Sequence, residues 1–132
     1  MNDDSPLINW KHYYVVLNFN VNEKEPILMV YSTSKVDKAI YRIKRSRQPL
    51  QTLVIINRYE SNLFPARSAF DCNLIRPTSY ENLIKKIQEG KVTHKGIIEI
   101  PILRKLRLGL LSSKTVDPLY KKMIRQAEST PC

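Results

Sequence analysis

The sequence predicts an α+β fold: a mixed sheet of about four or five strands, arranged ββαβ and then βαβ, with two helices closing the chain. Three observations carry this. Residues 13–19 and 27–32 are runs of β-branched and aromatic residues separated by a polar stretch that ends in Pro26. Val36, Ala39, Ile40 and Ile43 then recur at the spacing that lines one face of a helix, and residues 50–57 return to an apolar run of strand length. From Pro101 onward two further helical periods follow with no strand between them.

Each element has a local cause. Branched and aromatic side chains fit a pleated surface, and Asn20, Asn22 and Pro26 supply turn chemistry, so 13–19 and 27–32 read as a hairpin. Both strands are apolar on both faces, which suits central positions covered on each side. For the 34–47 helix, Thr33 or Ser34 offers a capping oxygen, Asp37 lies in the first turn, and Arg45 and Arg47 lie at the end, each charge complementing the helix dipole. Pro49 stops it, because the residue before a proline avoids helical geometry.

Residues 58–71 lack a period and form the longest irregular segment. Residues 72–75 read as a short fourth strand and 96–100 as a fifth. Between them Thr78 to Glu81 opens a helix as a capping box, with Leu83, Ile84 and Ile87 inward and Gly90 at its end. Pro101 suits the first turn of a helix that carries Ile102, Leu103, Leu106 and Leu110 on one side. Asp117 and Pro118 open the last helix, with Leu119, Tyr120, Met123 and Ile124 inward.

A chain of 132 residues, 42% hydrophobic and 26% charged, has the size of one domain. Residues 1–132 are therefore read as a single globular unit with short disordered ends over about 1–9 and 126–132. No stretch approaches the roughly 20 apolar residues of a membrane span, and no basic-then-apolar leader opens the chain. The expectation is a cytoplasmic protein with no membrane partner. Cys72 and Cys132 are too few for a disulfide framework or a four-cysteine zinc site, and His12 and His94 add no ligand spacing. Gly90, Gly96 and Gly109 are the only glycines, too sparse for a phosphate-cradling loop. Neither a cofactor nor a metal is expected.

The formal net charge is +10, and half of it falls in the 34–47 helix, where Lys35, Lys38, Arg42, Lys44, Arg45 and Arg47 face the single acid Asp37. Such a potential favours polyanionic partners. Lys38, Arg42 and Arg45 share a stripe at i, i+4 and i+7, with Tyr41 beside it. The first reading is a small basic, non-enzymatic nucleic-acid-binding protein that contacts the phosphate backbone of DNA or RNA. Its contacts would be Lys35, Lys38, Tyr41, Arg42, Arg45 and Arg47, assisted by Arg104, Lys105 and Arg107. The bland competitor is a solvated helix face.

A second reading is a protein-interaction module, an inhibitor or accessory subunit docking on an acidic partner, with Leu63, Phe64 and Phe70 as anchors. A third is a metal-independent ribonuclease toxin using Arg58, Tyr59, Glu60, Arg67, Ser68 and Asp71, although no spacing fixes their roles. Two weaker patterns complete the set. Residues 101–125 resemble a helix-turn-helix with Gly109 in the turn, against which Pro118 argues. Asp71 and Glu99 would form an acidic pair on neighbouring strands, but Ile100 and Pro101 follow where a nuclease would want lysine.

Overall fold

The computed structural model describes residues 13–18, 24–64 and 66–129. In chain order it contains β1 (Tyr14–Val16), β2 (Ile27–Thr33), α1 (Val36–Ser46), a 3-10 turn (Leu50–Thr52) and β3 (Leu53–Ile56). These are followed by β4 (Ser68–Asp71), β5 (Arg76–Thr78), α2 (Tyr80–Gln88), α3 (Ile100–Ser112) and α4 (Pro118–Ser129). This is an α+β fold with a five-stranded open sheet and two C-terminal helices. Phe19, Asn20, Asn22, His12, Cys132 and the expected tail over 1–9 lie outside the described residues.

The sheet runs β1-β2-β4-β3, with β5 also on β2. The ββαβ unit forms as expected, but the sheet expected to be mixed is antiparallel at every pairing. The reason is topological. After α1 the chain returns as β3 in the direction of β2, and β4 then inserts between them, replacing one parallel contact with two antiparallel ones. β4 and β5 are one interrupted strand: five residues, 71–75, lie opposite only Val30 and Tyr31 of β2. The strand expected at 72–75 is therefore a bulging turn. Asp71 Oδ1 accepts from the Asn73 backbone N–H and side-chain amide, both at 2.9 Å, and closes it.

No strand forms at 96–100 either. Residues 93–99 are irregular and Ile100 is already the first residue of α3, because Pro101 in the first turn fixes a helical φ. β1 is an edge strand, not a central one, and Asn18 extends its pairing by accepting from Leu28 N–H at 2.8 Å and donating to the Pro26 carbonyl at 3.0 Å.

Alternation along the strands divides the sheet into two faces. Val15, Leu28, Val30, Val54, Ile56 and Phe70 point into the main core, against Ile102, Leu103, Leu106 and Leu110 of α3 and Met123 and Ile124 of α4. The opposite face carries Leu53, Ile55 and Ala69, covered by Val36, Ala39 and Ile40 of α1. The sheet is thus sandwiched between α1 on one side and the C-terminal pair on the other.

The helix ends differ in detail from expectation. Lys35 is the N-cap of α1 and provides no side-chain bond, while Thr33 Oγ1 accepts from Lys35 N–H at 3.1 Å. Arg47 closes the helix in the left-handed conformation, φ 61°. In α2 the cap is Ser79, whose oxygen accepts from Asn82 N–H, and Asn82 takes the place expected of Glu81 by also bonding Thr78 Oγ1. Ile87 and Leu119, expected inward, are exposed. α4 runs to Ser129, beyond Gln126, where the tail was expected to begin.

Candidate nucleic-acid interface

α1 owes its outer face to its inner one. Burial of Val36, Ala39 and Ile43 fixes the rotation of the helix, so Lys38, Tyr41, Arg42 and Arg45 must point away from the sheet. Lys35, Lys44 and Arg47 are exposed as well. Asp37, Lys38, Tyr41, Arg42, Arg45 and Ser46 line an open, shallow depression along this face. Tyr41 is 63% exposed, and the Arg45 guanidinium stands over its ring, 5.6 Å from the centroid. Among the described residues, no ion pair engages a cation of α1.

The C-terminal end of α1 is clamped to the loop between α3 and α4. Gln48 donates to Thr115 Oγ1 at 3.1 Å and accepts from Lys114 N–H at 2.9 Å. The backbone of exposed Lys114 is thus held by Gln48 across a separation of 66 residues, which hides the contact from sequence reasoning.

The assisting cations on α3 are elsewhere. α3 packs on the face of the sheet opposite α1, so Arg104, Lys105 and Arg107 do not join the α1 row. Arg107 is half-buried and donates from Nε to the Leu17 carbonyl at 2.8 Å, which ties α3 to the end of β1. Lys105 approaches Glu60 at 3.8 Å, and Arg104 is exposed. The side of the sheet that α1 occupies instead carries a cluster the sequence reading missed. The Arg76 guanidinium lies 4.7 Å from the Tyr31 ring centroid, and Tyr31 meets Tyr14 at 6.0 Å. Strand alternation plus the β2–β5 register would have been needed to find it.

The anchors of the protein-docking reading are core residues. Phe64 is 4% exposed and Phe70 fully buried; they meet edge to face at 5.5 Å, Tyr13 joins Phe64 at 5.4 Å, and Leu63 is half-buried against the same core. The 58–71 segment, expected to be irregular throughout, ends in β4, which pairs with both β2 and β3; Phe70 enters the core from that strand and Leu63 and Phe64 from the loop before it.

The ribonuclease set is dispersed and structurally occupied. Arg58, Tyr59 and Arg67 are exposed near one end of the β3–β4 pair, and Asp71 lies at the other. Glu60 accepts from both the backbone and side-chain nitrogens of Asn57 at 2.9 Å. The Asn57 backbone bond above all, opposed by burial and aided by the Asn57 amide and Lys105, holds its carboxyl below the usual range. Ser68 donates to the Ala66 carbonyl.

Glu99 is not on a strand beside Asp71. It is the N-cap residue of α3, accepting from Ser61 Oγ at 2.8 Å and Asn62 N–H at 3.3 Å. Burial pushes its carboxyl up, but the bonds from Ser61, its own backbone and Asn62 outweigh this and leave it below the usual value.

Gly109 lies within α3, not in the turn expected of it; the turn between α3 and α4 falls at 113–117. A Cβ there would come within 2.9 Å of the Cys72 sulfur and of the Gln51 carbonyl, so glycine lets α3 approach the 3-10 turn. The Cys72 thiol beside it is buried, and burial, with a contribution from Asp71, pushes it up to about 12. Such a thiol is not a nucleophile. Among the described residues no group of His, Cys, Asp and Glu gathers at metal-ligating distance, and no helix is long and apolar enough to cross a membrane.

No known protein family matches this chain, and neither a curated protein nor a solved structure matches it.

Proposed function

We propose that the protein is a non-enzymatic nucleic-acid-binding protein that holds the phosphate backbone on the outer face of α1, acting in the cytoplasm, where a thiol such as Cys72 stays reduced. The observation that carries the reading is the row Lys38, Arg42 and Arg45, which shares an open depression with exposed Tyr41 and has no ion-paired acid among the described residues. Cations held this way can neutralise phosphates and displace the counterions condensed on a polyanion. Binding therefore releases salt, and affinity falls steeply with ionic strength. Asp37 at the N-terminal turn repels phosphate there, which moves the phosphate contacts toward Arg42 and Arg45.

The test is fluorescence anisotropy of labelled single- and double-stranded DNA and RNA across a salt series, with wild type and a Lys38→Glu, Arg42→Glu, Arg45→Glu variant. The three side chains are exposed, so the variant folds. The expected result is a linear dependence of log K on log salt in wild type, its slope reduced by about 2 to 3 in the variant. Absence of binding at low salt would sink the reading.

A further inference from the structure

We infer that the strand held on α1 is single, with one base stacked on the ring of Tyr41; this rests on the reading of α1 as a phosphate-binding face. Tyr41 is the large aromatic of that face, standing between the flanking cations Lys38, Arg42 and Arg45. At 63% exposure it gives nothing to the core, and among the described residues its hydroxyl makes no hydrogen bond. Among the described residues its ring meets Arg45, whose guanidinium over the ring orders both side chains.

The geometry separates duplex from single strand. In a duplex every base is covered above and below by its neighbours, so a ring reaches a base face only by unstacking it, at a cost of a few kcal/mol. A helix that contacted duplex phosphates alone would have no use for an exposed ring. In a single strand the base faces are open, and an aromatic ring beside a row of cations supplies the two things such a strand offers: π-faces and phosphates. α1 also lies flat along β3 and β4, with Val36, Ala39 and Ile43 buried beneath it, and presents one outer row. That row suits a strand draped across it. Arg45 serves both halves, as a cation for phosphate and as a planar cover for the ring.

The experiment compares Tyr41→Leu and Tyr41→Phe with wild type, titrated onto a single-stranded oligonucleotide of about 12 nucleotides and onto the duplex of the same sequence. Both replacements sit on an exposed position, so the fold is undisturbed. The expected result is tighter binding of the single strand by wild type, a roughly 10-fold loss in Tyr41→Leu, retention in Tyr41→Phe, and duplex affinity and salt slope unchanged in both. Equal loss on single strand and duplex, or no loss in Tyr41→Leu while wild type still binds with a steep salt slope, would overturn this inference and leave α1 a phosphate-binding face. Failure of wild type to bind either probe would overturn the earlier reading, and this one with it.

Discussion

Phe64 and Phe70 show what a single residue's role depends on. In the sequence they belong to an irregular polar segment, where an apolar side chain reads equally well as an exposed anchor or a plug. In the fold Phe70 pairs opposite Val54 and Ser32, fully buried, and Phe64 folds back from the loop to meet its ring at 5.5 Å. Phe64→Ala should therefore cost about 3 to 5 kcal/mol, the range for emptying a packed aromatic site. Urea denaturation followed by circular dichroism would check it, and a midpoint like that of wild type would restore the docking reading. Lys38, Arg42 and Arg45 are the opposite case: helical spacing alone placed them together and outward, and the structure keeps them so.

At the scale of elements, the reliable signals were long and periodic. α1, α3 and α4 were readable because their apolar residues recur over several turns, and Ile102, Leu103, Leu106 and Leu110 are all buried as the spacing implies. The short segments misled. Residues 96–100 have strand composition, yet Pro101 and Glu99 make them the entrance to α3, where Glu99 pins the 61–62 loop through Ser61 Oγ and Asn62 N–H. That pinning has a sign. The Glu99 carboxyl is lowered in the folded state, so its contribution is present above the unfolded value near 4.5 and disappears as pH falls through the lowered value. Glu99→Gln should flatten the acid limb of stability below about pH 4.5 and leave a smaller, pH-independent deficit from weaker hydrogen bonds. Thermal melts from pH 3 to pH 7 would read it, and an acid limb parallel to that of wild type would count against the assignment.

At the scale of the whole molecule, the positive charge is not one surface. α1 and α3 flank the sheet on opposite faces, so a ligand held on α1 has the strand layer between itself and Arg104 and Lys105. The loop between α3 and α4 instead meets the chain just past the C-terminal end of α1, where Gln48 accepts from the Lys114 backbone. Lys114→Glu should accordingly reduce the salt slope of polyanion binding by about 1, and Lys105→Glu should leave it near wild type. Equal effects from the two would mean that binding follows net charge alone.

The sequence by itself determined the α+β class, the ββαβ start, the two C-terminal helices and the basic outer row of α1. These follow from periodicity, caps and proline positions acting within a few turns of chain. Tertiary structure alone decided which strands pair, which cations share a face and which loop residues are buried. β4 slips between β2 and β3, Arg107 bonds the Leu17 carbonyl, and the Lys114 backbone meets Gln48 from 66 residues away. Pairing across the sheet is settled by the fit of distant side chains into a shared core, and no local pattern encodes that fit.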